Sequence, residues 1–208
     1  MQHHTITHKI TNTLLFEGTF PTFKHMLETA ISEGENLSHA DLRYKNLSHA
    51  NLDEAYLAHA DFTGANLTGA NMSEANLYGA NLSHTALHNT CFAYSDLSEA
   101  DFTGAHCGAT DIAMAYLDEC TFSDISCFTL NFKQATSMQN CRFTTQNGES
   151  SHFSKAPIII NGLIESPLII TENTAYIGYT QLNKRHLERI LKNGFKTDIL
   201  NLPLADEA

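Results

Sequence analysis

Between Asn46 and Phe132 the chain has no lysine and no arginine, although its 208 residues include twelve such cations. The same stretch carries eleven acids: Asp53, Glu54, Asp61, Glu74, Asp96, Glu99, Asp101, Asp111, Asp118, Glu119 and Asp124. A field of that sign repels phosphate and attracts basic surfaces, which argues against nucleic acid as a direct ligand. No apolar run approaches the ~20 residues a membrane helix needs, so no membrane role is expected. The start, Met1-Gln2-His3-His4-Thr5, lacks the charged and apolar regions of a secretory leader. Five cysteines show neither CxxC spacing nor a framework of pairs. Their expected state is buried thiols in a reducing compartment, which points to the cytoplasm. No Gly-rich phosphate loop, HExxH or nucleophile–base pair with local context occurs, so the expectation is no enzyme, no catalytic residue and no cofactor.

What the chain does have is twenty consecutive five-residue blocks from Glu35 to Gln134. Each is built as Ala-(Asp/Asn)-Leu-x-x, as in Ala40-Asp41-Leu42 and Ala65-Asn66-Leu67. A five-residue period suits neither a straight strand nor a helix, because neither returns to one face after five steps. The chain must turn once per block. Asp or Asn before the central residue, found in thirteen blocks, suits a side chain that satisfies turn backbone. A strict period also implies a solenoid, in which each unit buries its apolar side only against its neighbours.

This pattern resembles the pentapeptide-repeat family. The resemblance implies a β fold, a right-handed quadrilateral β-helix with four blocks per coil. Twenty blocks then make about five coils, a rod of roughly 24 Å at ~4.8 Å per coil. Residues twenty apart stack, giving four core ladders that start at Leu37, Leu42, Leu47 and Leu52. Ile125 and Leu130 are too large for the small position, and Cys141 and Phe143 resume the pattern one residue out of phase. A broken coil is therefore expected near residues 135–140.

Three parts are expected: a strand and helix cap over 1–34, the repeat over 35–145, and a small C-terminal α/β module over 155–208. The cap reads as short strands within Lys9–Phe16 around Thr11-Asn12, then an amphipathic helix from Phe23 to Ile31 preceded by Thr19 or Thr22 and closed by Gly34, with Pro21 in its first turn. The tail reads as three short strands (156–163, 167–170, 174–178) and a basic helix from about Gln181 to Lys192 with Thr180 as its N-cap. Pro157-Ile158, Ile160, Gly162-Leu163, Ile169-Ile170-Thr171 and Ile177-Gly178 resemble a module found in small phage and prophage members of the family. That group usually has Cys and His after this glycine; Tyr179 and Thr180-Gln181 stand here, removing any metal or thiol role the resemblance would imply. The group implies no established activity.

Twelve histidines raise a metal reading, strongest at His39 and His59, which stack one coil apart. Gly79 follows them in the column and no third ligand is close, so no metal site is expected. His49, His84, His88 and His106 are read as outward and solvated. The candidate partner-contact residues are Asp41, Asp53, Glu54, Asp61, Glu74, Glu99, Asp101, Glu119 and Asp124. The first functional expectation is a non-catalytic protein-interaction scaffold whose acidic rod engages a basic protein surface, by imitating DNA. Some family members act so on DNA gyrase; this chain has no long projecting loop within its repeat. Two alternatives are an assembly module that forms a homodimer through its C-terminal region, and a small-ligand site near Asn161, Tyr176 and Tyr179.

Overall fold

The computed structural model describes residues 1–123, 125–145, 148–160, 168–172, 174–177, 180–183 and 185–189. Each five-residue block makes one side of a four-sided coil and one corner. The side is held by parallel bridges between residues twenty apart, in four series that begin Asn36↔Tyr56, Asp41↔Asp61, Asn46↔Asn66 and Asn51↔Asn71. We number the faces 1 to 4 by these series. The corner is a tight turn closed by a backbone bond such as Ala40 N–H to Leu37 O at 3.1 Å. From His39 to Glu119 the second residue after each centre takes positive φ, as at His39 (61°), Glu74 (56°) and Gly79 (61°). That is the turn class in which only the third residue is left-handed. Asp or Asn before the centre completes it: Asn66 Oδ1 accepts from Thr68 N–H at 3.1 Å, and Asp101 Oδ1 from Thr103 N–H at 2.8 Å.

The core is as narrow as the repeat implies. All twenty central residues and the alanines two before them are buried. Where a hydroxyl replaces alanine it finds a carbonyl of the coil: Thr90 Oγ1 donates to Leu67 O at 2.8 Å, and Ser95 Oγ to Phe92 O at 2.7 Å. A buried hydroxyl without such a partner would be costly.

The N-terminal end is covered by a hairpin and a helix. β1 (Gln2–Thr7) pairs antiparallel with β2 (Leu14–Phe20), and α1 spans Phe23–Ser32. The first strand thus precedes the expected Lys9–Phe16 region, and Lys9 to Thr13 form the connection. Thr22 is the N-cap, its side chain accepting from His25 N–H, so Pro21 lies before the helix rather than in its first turn. Met26, Leu27 and Ala30 are buried against the first coil. Backbone groups of that coil are satisfied by the cap: Asp41 N–H by Thr7 O, His39 O by Lys9 N–H, and Asn51 N–H by Glu28 Oε1.

At the other end β3 (Asp101–Phe102), β4 (Thr121–Phe122) and β5 (Cys141–Thr144) run parallel, and β6 (Ser150–Phe153) returns antiparallel on β5. Thr121 pairs with Arg142 and Tyr116 with Ser137, twenty-one residues apart rather than twenty. The extra residue is absorbed in two 3-10 turns, Ile125–Thr129 and Phe132–Gln134. The break therefore precedes the expected region 135–140, and Ser137 is already in the shifted phase. Cys127 and Phe132 stay buried through it.

β7 (Ile158–Ile160), β8 (Leu168–Ile170), β9 (Ala175–Ile177) and β10 (Thr180–Leu182) form an antiparallel meander. Alternation divides its two sides. Ile169 and Tyr176 join the rod core, while Leu168, Ile170 and Ala175 pack with Leu187 of the following helical turn. The sheet has a fourth strand where the sequence suggests the start of a helix. Thr180 lies in β10, and the helical residues are 185–189, after Asn183, whose Oδ1 accepts from His186 N–H. The C-terminal extent of that helix lies outside the described residues.

Candidate interaction surface

The four-sided coil assigns every outward residue to a face or a corner. Asp41, Asp61 and Asp101 share face 2 with Asn81. Their carboxylates are engaged in turns: Asp61 Oδ1 accepts from Thr63 N–H at 3.0 Å and from the Thr63 hydroxyl. Asp41 also forms a two-point pair with Arg43, Nε to Oδ1 at 2.8 Å and Nη2 to Oδ2 at 2.7 Å. Its hydrogen bonds from that side chain hold Asp41 below the usual carboxylate range. Arg43 begins this face and Arg142, paired with Thr121, ends it. Face 2 is thus bracketed by cations.

The remaining described candidates flank face 1. Glu54 and Glu74 occupy successive coils at the corner between faces 4 and 1, with Asp53 beside them. Glu99 and Glu119 occupy successive coils at the corner between faces 1 and 2. All four glutamates are exposed and take positive φ. Among the described residues no cation lies within ion-pairing distance of them. Asp124 lies outside the described residues. Face 3 carries no acid between Asn46 and Ala109.

Sequence reasoning missed what lies between those glutamates. Tyr56 and Tyr116 hold the position before the centre on face 1, where Asn or Asp is usual, and are 56% and 46% exposed. Tyr94 (62% exposed) and Met114 (49%) continue the Glu54–Glu74 corner. Tyr78, also on face 1, donates its hydroxyl to Glu99 Oε1. The signal was present in the numbering, since residues congruent modulo twenty share a face.

The histidines are arranged otherwise than as isolated solvated rings. His8, from the hairpin connection, stacks on His39 at 4.9 Å, and His39 on His59 at 4.9 Å. His59 meets the Tyr78 ring edge-on at 5.3 Å. These three imidazoles are half-buried, whereas His49, His84, His88 and His106 are exposed. Parallel rings do not converge on a common point, which a metal requires. Among the described residues no three His, Cys, Asp or Glu side chains form a metal-holding group. Burial, then His59, His8 and Lys9, holds His39 below the usual histidine value.

Four of the cysteines are buried and Cys91 is half-buried. Burial raises the Cys120 thiol and pushes Cys141 up to about 12. Both are poor nucleophiles. Of the proposed ligand pocket, Asn161 and Tyr179 lie outside the described residues; Tyr176 is buried, with its hydroxyl on Ser151 Oγ at 2.6 Å. No helix among the described residues is long and apolar enough to cross a membrane.

Residues 36–124 match the family described as pentapeptide repeats, in eight copies. The repeat segment of this chain belongs to that family, and its fold is the right-handed quadrilateral β-helix. Among solved structures, the chain is similar to a pentapeptide repeat protein from Nostoc Pcc 7120, with 25% identity and a TM-score of 0.41 over 48% of this chain and 78% of that one. It is also similar to Rfr23 from the cyanobacterium Cyanothece 51142, with 28% identity and a TM-score of 0.36 over 43% and 56%. A third is a pentapeptide repeat protein of the Arabidopsis thaliana thylakoid lumen, with 24% identity and a TM-score of 0.36 over 61% and 74%. No curated protein matches the chain.

Proposed function

We propose that the chain is a non-catalytic scaffold whose acidic rod binds a basic protein surface in place of nucleic acid. The observation that carries this reading is linear charge density. At ~4.8 Å per coil the cation-free stretch rises about 21 Å, so its eleven carboxylates fall one per about 1.9 Å, against one phosphate per ~1.7 Å of duplex axis. Self-repulsion of that size works against a compact rod unless a partner relieves it. Turn formation does not require it, because Asn81 caps the same turn as its neighbours Asp61 and Asp101.

Competition is the test. A labelled 20-base-pair duplex is bound to each of a panel of basic nucleic-acid-binding proteins, DNA gyrase among them, and the purified chain is titrated in. The expected result is displacement from at least one of them in dilute salt, lost on raising the salt as screening shortens the field. Failure to displace duplex from any panel member in dilute salt removes the reading.

A further inference from the structure

Face 1 differs from the rest of the rod in combining large exposed rings with carboxylates that no described cation pairs. Tyr56 and Tyr116 stand in one column, and Tyr94 and Met114 at its edge. Glu54 and Glu74 border it on one side, Glu99 and Glu119 on the other. Exposed aromatic and methionine side chains grouped on one surface are characteristic of contact sites rather than of solvated ones. The repeat itself puts no lysine or arginine on this face, and Lys9 of the cap reaches only its corner, at the His59 carbonyl, while face 2 is closed at both ends by Arg43 and Arg142 and face 3 lacks acids.

We propose that face 1 is the docking surface, and that it takes an extended, arginine-bearing segment of the partner protein. This inference rests on the scaffold reading above. Charge fixes the sign of the occupant, and the rings choose between the two cations. A guanidinium is planar and weakly hydrated, so it stacks on a tyrosine while its N–H groups reach a neighbouring carboxylate. An ammonium can use the carboxylates but gains less from the rings. Tyr56 and Tyr116 are three coils apart, ~14 Å, which an extended chain spans in about four residues at ~3.4 Å each. A segment with arginines at its ends can therefore meet both rings while lying along the rod axis.

The repeat itself supplies the variants. Asn is its commonest residue before the centre, so Tyr56→Asn and Tyr116→Asn remove rings and keep the turn. Tyr94→Asn suits a positive φ. On face 2, Asp61→Asn with Asp101→Asn copies Asn81. Fluorescein-labelled deca-arginine and deca-lysine peptides are titrated by anisotropy against the full chain and both variants. Wild type is expected to bind deca-arginine at least about 5-fold more tightly than deca-lysine. The triple tyrosine variant should weaken deca-arginine about 10-fold and deca-lysine less than about 2-fold, and the face 2 variant should weaken both by no more than about 3-fold.

Equal affinity of wild type for the two peptides overturns the docking proposal, and needs no variant to fold. So does a folded tyrosine variant with unchanged deca-arginine binding. Either leaves the scaffold reading standing. Wild type that binds neither peptide in dilute salt removes both.

Discussion

The His59 ring lies directly over Gly79, one coil along, so that a β-carbon on Gly79 would sit 2.5 Å from His59 Nδ1. The same relation holds between Tyr44 and Gly64, His49 and Gly69, and His84 and Gly104. Glycine at these corners therefore serves two ends: it takes the left-handed conformation and makes room for a ring from the coil before. At Gly34, also at positive φ, nothing lies within 4 Å of the added carbon. Gly34→Ala should cost only the backbone strain, about 1 kcal/mol, and Gly79→Ala about 1–3 kcal/mol. Urea midpoints of both, and of Gly79→Ala combined with His59→Ala, should show the excess recovered in the double variant.

Asp61→Asn should leave stability within about 0.5 kcal/mol of wild type, because Asn81 in the same column accepts the equivalent N–H bond. A loss well beyond that would mean the Asp61 charge itself holds the turn. The measurement is a urea unfolding curve in low and moderate salt.

Tyr176 is buried, packs edge-on against Phe143 at 5.2 Å and donates its hydroxyl to Ser151. Tyr176→Phe should cost about 1 kcal/mol for the lost bond, and Tyr176→Ala about 3–5 kcal/mol for the cavity. Burial also raises the phenol above its ordinary value. A tyrosine titrating late in an alkaline absorbance scan should be missing from Tyr176→Phe.

Lowering the pH should loosen the N-terminal end before acid unfolds the rod. His39 is held below the ordinary histidine value of 6.5, so from that pH down to its folded value the unfolded chain binds more protons. Stability from the neutral His39 ring is thus whole above 6.5 and lost as pH falls through that window. Asp41 and Glu172 are also depressed, but below carboxylate values of 3.8 and 4.5, so they lose their contributions at lower pH. Hydrogen-exchange protection factors of the Lys9 and Asp41 amides, taken relative to the intrinsic rate at each pH, should fall between pH 7 and pH 5. In His39→Asn, which keeps a residue suited to positive φ, that dependence should flatten.

The centres and small positions were legible in the sequence because the period is covalent: once Leu37 is inward, Leu57 and Leu77 must be. The same arithmetic places Tyr56 and Tyr116 together on face 1. Other features depend on contacts that no local pattern carries. His8 joins the imidazole stack only because the hairpin crosses the first coil. Thr180-Gln181-Leu182 fits a helix start by composition, yet the open edge of β9 takes it as a strand. The out-of-phase Phe143 revealed an inserted residue; its place did not show, because the 3-10 turns keep Cys127 and Phe132 inward. Of the nine candidate acids, those of face 2 are engaged in turns, while Glu54, Glu74 and Glu119 stand on the corners and Glu99 accepts the Tyr78 hydroxyl.

Both ends of the rod are finished by a strand running against the coils. At one end His8 bridges Ala40 antiparallel, and at the other β6 folds back on β5. A parallel coil left open would be a template for the first coil of another copy, and fibres grow by such addition. Here the next rung would meet a chain of reversed polarity and, beyond β6, the meander packed through Ile169 and Tyr176. Face 2 is thereby closed at both ends, and a second copy would have to displace those strands to extend its ladder.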